Sequence, residues 1–417
     1  MLWKFWKRNT MKETISEDNL KKKDALIVLG NGFTIDFLKH YANVIDATIT
    51  EHIDVCNLFR LGDRINSPWD GKPGLLSYKN FPTLWMLGAR PSNTAEECVA
   101  LITDIITCVN VYLGFANKNS VNKKINVTIA KRWVGSQYLR AYSELLVYLK
   151  YLFCYYNSYI TDDDLRSYLK KEQRWGWLKF FENIKSNNYQ DIDIVTYNYD
   201  VWLERIFDIL GVQYFIEDPD RYDGKICGSR EGIRIIKPHG SISFHSRGSS
   251  VIIDQNKLDA VSYDDRLDYI IENLEGLNSQ SAGIELRKPG LEDCESCMII
   301  PPSGESHRIE NEKSWSQKLR GIAEGRARYI GRHAARKADV VLCGISYGYV
   351  DREEIDELLA NLYYDIDFTL VNPRPARELN AVLTSLFKNY RLQSSSTNIG
   401  DILLGGTYSS RAEEKST

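Results

Sequence analysis

Five short runs of β-branched and apolar residues, each ending in glycine or a polar residue, constrain the fold of this chain most strongly. Each is long enough for a buried strand, and four of them lead into a segment with helical periodicity. The runs are "DALIVLG", "DIDIVTYN", "IRIIKPHG", "ADVVLCG" and "DFTLVNP", and the helical segments are "IDFLKHYANVID", "DVWLERIFDIL", "DREEIDELLANLYY" and "ARELNAVLTSLFKNY". This alternation predicts an α/β fold: a Rossmann-type parallel sheet with helices on both faces.

The distance between the first two runs predicts the domain organisation. Helical periodicity dominates the long stretch between them, so we expect a mainly helical insertion at residues 51–189. The nucleotide-binding core is then formed by residues 24–50 and 190–390. Residues 1–23 are predicted to form an N-terminal extension and residues 391–417 a C-terminal tail, in which "YSSRAEEKST" is polar and "DILLGG" is expected to dock on the fold.

Composition excludes several classes of protein. The chain has 53 Lys and Arg against 56 Asp and Glu, so no overall basic field favours direct nucleic-acid binding. Its eight cysteines are scattered and no signal peptide precedes them, which predicts a cytoplasmic protein. The most apolar helical run is interrupted by Lys150, so no membrane span is expected. Only Cys294 and Cys297 form a Cys-x-x-Cys pair, whereas a structural zinc site needs two such pairs, so no metal is predicted.

A glycine turn follows the first run. In "DALIVLGNGFTID", Gly30 and Gly32 lie in a tight turn, and Thr34 and Asp36 stand where a helix begins. Such a turn brings backbone N–H groups and a helix N-terminus against a phosphate. Ile35 occupies the place of the third glycine of a dinucleotide-binding motif, so an ordinary strand-to-helix turn is the alternative.

Two polar residues follow the next strand ends: Asn198 in "TYNYD" and His239 in "KPHGS". Carboxyl ends of parallel strands share one edge of the sheet, where ligands bind, so we expect both side chains there. Asn198 offers a hydrogen-bond donor and an acceptor, but could instead cap the following helix. His239 can exchange a proton near neutral pH, but could instead be a core or turn histidine.

The last two strand ends carry small residues and an amide. "VVLCGISYGYVD" contains Gly344 and Ser346, and "TLVNPRP" contains Asn372. Such residues suit the ribose and phosphates of a nucleotide, and they also suit ordinary loops.

Together and in this order, the strand ends resemble those of the sirtuin-like family. "TYNYD" is similar to that family's T-x-N-[ILY]-D, and "KPHGS" to its K-[LP]-H-G-S. The resemblance covers the α/β core, about half of the chain. The Gly-Ile-Pro-Asp-Phe-Arg segment and the zinc tetrad of the protein deacylases are missing. The sequence therefore looks more like the bacterial antiphage branch of the family, whose members hydrolyse NAD.

The resemblance implies roles for the motif residues. Asn198 holds the ribose and the attacking water, His239 accepts a proton from that water or from a ribose hydroxyl, and Asp200 supports this edge. No metal takes part, and NAD is the substrate. The implied NAD contacts are Gly30, Asn31, Gly32, Phe33 and Thr34 at the diphosphate, Asp36 near the nicotinamide ribose, and Gly344, Ser346 and Asn372 at the adenosine half.

The resemblance also implies products, regulation and partners. Cleavage gives nicotinamide and ADP-ribose, and NAD depletion stops growth of an infected cell. Such an activity must be restrained, so we expect a homo-oligomer or a partner, an ATPase or another defence protein, with residues 51–189 as the interface. A protein deacylase, a non-catalytic subunit that binds NAD or ADP-ribose, and a structural subunit of a nucleic-acid machine are the alternatives.

Overall fold

A computed structural model describes residues 23–119, 135–172, 174–184, 189–218, 232–246, 284–286, 297–300, 315–332, 338–348 and 352–405. In chain order, the strands are β1 (Lys23–Leu29), β2 (Tyr189–Thr196), β3 (Tyr214–Ile216), β4 (Ile233–Ile236), β5 (Gly240–Ser246), β6 (Ile284–Leu286), β7 (Cys297–Ile299), β8 (Ala338–Cys343), β9 (Asp367–Val371) and β10 (Asn389–Gln393). The helices are α1 (Asn31–Val44), α2 (Pro82–Met86), α3 (Ala95–Asn119), α4 (Gly135–Tyr159), α5 (Asp162–Lys171), α6 (Gly176–Glu182), α7 (Trp202–Leu210), α8 (Trp315–Arg332), α9 (Arg352–Ala360), α10 (Arg377–Leu386) and α11 (Ile399–Leu403), and a 3₁₀ turn spans Ile49–Glu51.

Seven parallel strands form the main sheet in the order β10-β9-β8-β1-β2-β4-β3. The strand β1 lies between β2 and β8, and the chain reaches these neighbours on opposite sides. This reversal is the topological switch point of a doubly wound sheet. The five predicted strands are confirmed as β1, β2, β4, β8 and β9. A second, antiparallel sheet has the order β6-β5-β7.

Two hydrophobic cores cover the two faces of the main sheet. In β1, Ile27 and Leu29 point into the first core, whereas Leu26 and Val28 point into the second. Apolar side chains of α1 and α4–α7 fill the first core, and those of α8–α10 fill the second. The central strands β1, β8 and β9 are largely apolar because both of their faces are buried. The predicted Rossmann-type α/β class, with helices on both faces, is therefore confirmed.

Residues 51–189 contain helices α2–α6 in their described part. Tyr148 of α4 is fully buried, and it belongs to the same core as Phe37 of α1 and Trp202 of α7. The described part of residues 51–189 is mainly helical and shares a core with the sheet, and a separate insertion domain at these residues stays a prediction. Within the described part of the chain, no helix is long and apolar enough to cross a membrane.

The C-terminal segment differs from the sequence expectation. The helix predicted over "ARELNAVLTSLFKNY" ends at Leu386, since Phe387 is extended and stacks on Phe368 of β9 at 4.6 Å. The predicted tail, residues 391–417, begins inside β10 and contains α11. Ile399 is fully buried in the first core. Residues 1–22 and 406–417 lie outside the described residues.

Candidate functional site

The five predicted strand ends meet at the carboxyl edge of the main sheet. The strands β9, β8, β1, β2 and β4 are neighbours in that order. The residues that follow them at this edge are Asn372, Gly344, Gly30, Asn198 and His239. The residues chosen from separate motifs therefore lie along one continuous edge, which includes the switch point between β1 and β8.

The glycines beside the switch point bring two loops into backbone contact. Gly30 N donates to the carbonyl of Cys343 at 2.9 Å, and Gly32 N donates to that of Gly344 at 3.1 Å. A Cβ on Gly32 would lie 2.3 Å from Gly344 Cα, and Gly344 itself has φ of +65°. These glycines are required for close packing of the loops. A contact of Gly30, Gly32 or Gly344 with NAD stays a prediction.

Asn31 and Phe33 already have partners within the protein. Asn31 Nδ2 donates to the carbonyl of Val55 at 2.7 Å and so fixes the loop that follows α1. Phe33 is buried, with its ring 5.7 Å from both Trp175 and Trp177. The described geometry gives Asn31 a loop-fixing role and Phe33 a packing role, and their proposed diphosphate contacts are untested.

Asp36 lies further along α1 and joins α1 to two distant segments. Its carboxylate accepts a hydrogen bond from Trp175 Nε1 at 2.8 Å and one from Ser396 Oγ at 2.5 Å. Both contacts anchor elements beside α1. The predicted place of Asp36 near a nicotinamide ribose likewise stays a prediction.

Asn198 is the centre of a buried hydrogen-bond chain. Its Nδ2 donates to the carbonyl of Gly30 and to Thr34 Oγ1, both at 3.0 Å. Thr34 Oγ1 in turn donates to Asp200 Oδ2 at 2.7 Å. Because the carbonyl and the carboxylate accept only, the direction of the chain and the orientation of the Asn198 amide are fixed.

This orientation leaves the amide oxygen of Asn198 as an acceptor. Within the described residues, no donor is bonded to Asn198 Oδ1. The N-cap of α7 is Val201, and the side chain that accepts from the first amide of that helix, Trp202 N, is Asp200 at 3.4 Å, so the capping interpretation of Asn198 is wrong. Thr34 holds Asn198 and Asp200 together, and its expected contact with a diphosphate stays a prediction.

Asp200 is buried, and burial is the main reason that its pKa is raised to about 6, against the lowering effects of Lys237 and Thr34. Lys237 lies behind it and is completely buried. Lys237 Nζ donates to the backbone carbonyl of Asp200 at 2.7 Å and to Glu204 Oε1 at 2.6 Å. This lysine therefore connects the strand end that carries His239 to the first turn of α7.

His239 is held by a carboxylate from the other face of the sheet. Its Nε2 lies 3.1 Å from both carboxylate oxygens of Glu354, in the first turn of α9, and both residues are buried. Arg320 of α8 donates to Glu354 Oε1 at 3.4 Å. The ring of Tyr197 packs on the imidazole, with centroids 4.8 Å apart. His239 is thus oriented at the sheet edge by Glu354 and Tyr197.

The loops that carry Asn198 and His239 are joined by backbone contacts. The carbonyl of Tyr199 accepts hydrogen bonds from Ile242 N at 3.0 Å and from Ser241 Oγ at 3.2 Å. Gly240 has φ of +80°, and a Cβ there would lie 2.1 Å from the carbonyl oxygen of Met298. Glycine after the histidine therefore permits the chain to enter β5 directly.

Ser346 and Asn372 lie on the other side of the switch point. Asn372 Nδ2 donates to the carbonyl of Ile345 at 3.1 Å, and its Oδ1 accepts from Arg374 N at 2.9 Å, so this amide shapes the loop after β8. Ser346 is exposed in that loop. Tyr347, which follows it, has φ of +51°, a strained value for a residue with a side chain.

Sequence reasoning missed Glu354, Lys237 and Glu204 as parts of this site. Glu354 belongs to a helix with two adjacent glutamates in its first turn, and the helical pattern does not show which one turns inward. One signal existed, since a helix that follows a parallel strand begins at the carboxyl edge. A first-turn carboxylate there lies within reach of neighbouring strand ends.

Within the part of the chain that the structure describes, no three or more His, Cys, Asp or Glu side chains form a metal-binding group. Cys297 lies in β7 and Cys294 lies outside the described residues, so the absence of a metal stays a prediction. The fold and the edge define a Rossmann-like parallel α/β protein. A scan of protein-family models and a search of curated proteins found no match to this chain.

Proposed function

We propose that the protein hydrolyses NAD to nicotinamide and ADP-ribose. The observation that carries this proposal is the pair of oriented, buried side chains of Asn198 and His239 at the carboxyl ends of the adjacent strands β2 and β4. Ligands bind at this edge in doubly wound sheets. The choice of NAD is supported by the resemblance of "TYNYD" and "KPHGS" to sirtuin-like motifs.

In the proposed reaction, Asn198 acts through its amide oxygen. Cleavage of the bond between nicotinamide and C1′ of the ribose passes through a transition state with positive charge on the sugar. A fixed amide dipole stabilises such charge without reorganisation, and the hydrogen-bond chain through Thr34 and Asp200 supplies that rigidity. Asn198 Oδ1 accepts a hydrogen bond from the attacking water or from a ribose hydroxyl.

His239 accepts the proton of the attacking water. The water oxygen forms a bond to C1′ as the bond from C1′ to the pyridinium nitrogen breaks, and the electron pair of that bond makes nicotinamide neutral. The departing group needs no proton, so one base is sufficient. The imidazole of His239 is this base, since it lies at the strand end next to the one that carries Asn198.

Biologically, we propose that NAD depletion makes the protein an effector of bacterial antiphage defence. The resemblance to the antiphage branch supports this role. Restraint then comes from a homo-oligomer, a partner ATPase or another defence protein bound to residues 51–189. Apolar side chains exposed in that segment, Tyr78, Met86 and Val99 at 60%, 64% and 53%, support an interface there. The test is to measure NAD in infected cells and the mass of the purified assembly.

The decisive experiment is to incubate purified protein with NAD and to follow nicotinamide and ADP-ribose. We expect Asn198→Ala and His239→Ala each to lower turnover by about 10²-fold or more. Asn361→Ala and His52→Ala are matched controls outside the site and should retain wild-type turnover.

Unchanged hydrolysis in both site variants would reject the assignment. A wild-type protein that is silent alone is tested again with candidate partners, since a restrained enzyme is expected. Turnover of acyl-lysine peptides in place of NAD hydrolysis would favour a deacylase, and NAD binding without any turnover would favour a regulatory subunit.

A further inference from the structure

We infer that Glu354 is a positioning residue that fixes the tautomer of His239, so that Nδ1 is the nitrogen that takes up the proton. This inference rests on the proposed function for its catalytic consequence. Its structural part, the pairing of a carboxylate with one ring nitrogen, stands on geometry alone.

The geometry identifies which ring nitrogen carries the hydrogen. His239 Nε2 lies 3.1 Å from each oxygen of Glu354. An ionised carboxylate only accepts hydrogen bonds, so a neutral imidazole in this position must carry its hydrogen on Nε2. The lone pair of the neutral ring is then on Nδ1. We therefore assign to Nδ1 the uptake of the proton from water or from a ribose hydroxyl.

The surroundings hold both partners in place. The side chains of His239 and Glu354 are 3% and 8% exposed, so water competes little for their hydrogen bond. Arg320, whose side chain is 12% exposed, supplies a compensating positive charge to Glu354 Oε1. Because Tyr197 packs on one side of the imidazole, the ring has little freedom to rotate away from Glu354.

The carboxylate also acts during the reaction. When Nδ1 gains a proton the ring becomes an imidazolium, and the negative charge of Glu354 beside Nε2 stabilises that cation. Glu354 itself transfers no proton and contacts no substrate atom in this mechanism. Its removal should therefore lower kcat while the KM for NAD changes little.

The test combines spectroscopy of the full chain with kinetics. Protein labelled with ¹⁵N-histidine gives signals from six histidines, and those of His239 are identified by their loss in His239→Ala. Long-range ¹H–¹⁵N spectra distinguish a ring protonated on Nε2 from one protonated on Nδ1. We expect the neutral His239 ring to carry its hydrogen on Nε2 in the wild type, and to lose this preference in Glu354→Ala.

The kinetic arm uses three variants. Glu354→Ala should lower kcat by roughly 10²-fold, and Glu354→Gln, which keeps the shape and removes the charge, by at least about tenfold. Glu353→Gln removes the charge of the adjacent, exposed glutamate and should leave kcat and the His239 signals as in the wild type. Glu354→Gln decides the kinetic question if the alanine variant does not fold.

A neutral wild-type ring with its hydrogen on Nδ1 would overturn the inference, as would an unchanged tautomer in Glu354→Ala or an unchanged kcat in Glu354→Gln. These outcomes differ from a failure of the proposed function. A protein that does not hydrolyse NAD still reports through its histidine spectra whether Glu354 sets the tautomer.

Discussion

Asn198 and His239 lie on neighbouring strand ends, yet they are held in different ways. Asn198 is held by Gly30, in the turn after β1, and by Thr34 of α1, which in turn donates to Asp200 after β2. His239 is held by Glu354, from a helix whose apolar side chains belong to the second core. The candidate site thus joins the two faces of the sheet, and its alignment depends on contacts that cross between them.

Lys237 connects the strand end that carries His239 to Asp200 and to α7, and its loss should have the largest effect. Lys237→Met leaves Glu204 and the carbonyl of Asp200 buried without their partner, so we expect the free energy of unfolding to fall by about 3–5 kcal/mol. Urea denaturation measures this change. The double variant Lys237→Met with Glu204→Leu should recover most of the loss, because an apolar pair replaces a buried ion pair at little cost.

The matched control for this prediction is Lys79→Met. Lys79 pairs with Asp70 on the surface, where its side chain is 73% exposed, and solvent screening makes such a pair contribute little. If both lysine substitutions lower the free energy of unfolding equally, Lys237 does not connect the part of the site around Asn198 to the part around His239.

Through Asp200, which belongs to the hydrogen-bond chain of Asn198, the free energy of unfolding depends on pH. The pKa of Asp200 rises from 3.8 to about 6 on folding, mainly through burial, so the folded state binds the proton more tightly than the unfolded state. The stabilising contribution is fully present below pH 3.8, and it is lost as pH rises to about 6, a total of about 3 kcal/mol. Urea denaturation across this range should show that loss in the wild type and not in Asp200→Asn. Parallel pH profiles of the two proteins would contradict the prediction.

Gly32 and Gly344 pack closely at the switch point. This steric requirement affects both the part of the site around Asn198 and the part around His239. Gly32→Ala places a Cβ 2.3 Å from Gly344 Cα, so backbone must move and we expect a loss of roughly 1–3 kcal/mol. The control is Gly321→Ala in α8, where an added Cβ meets nothing within 4 Å. That change should raise stability by up to about 1 kcal/mol, because alanine favours a helix. Thermal unfolding of both proteins checks the opposite signs.

Thr34 tests how far the Asn198 half depends on its hydrogen-bond chain. Thr34→Val removes the hydroxyl that joins Asn198 to Asp200, and we expect kcat for NAD to fall about tenfold, since one bridging hydrogen bond is lost. Thr34→Ser keeps the hydroxyl and should stay within about threefold of wild type. Steady-state kinetics measures both. A valine variant as active as the serine variant would remove Thr34 from the mechanism.

The sequence predicted the central strands because both of their faces are buried, which makes them apolar runs. It missed β3, which has three residues, and β10, whose five residues alternate little and are partly exposed at the sheet edge. These strands are defined by pairing with a neighbour, a property that local composition does not encode.

The same distinction applies to the site. Asn198 and His239 could be predicted because a polar residue after a buried strand has only one place to go in a parallel sheet. Glu354 could not, since it is 115 positions from His239 and its neighbour Glu353 has the same charge and the same helix turn. The residues that contact Gly30 and Gly32 could not be predicted from the sequence for a similar reason. The strand β8, which ends at Cys343 directly before Gly344, follows β1 by some three hundred residues.

The central position of β1 has a consequence for synthesis. This strand leaves the ribosome first among the described elements, yet its neighbours β2 and β8 come much later, and the hydrogen bond from Asn198 to Gly30 spans 168 positions. His239 gains its partner only once α9 has been made. A nascent chain therefore holds exposed strand edges for most of its translation and cannot assemble the site until late. Only chains that are almost completely translated can therefore carry out a reaction at this edge of the sheet.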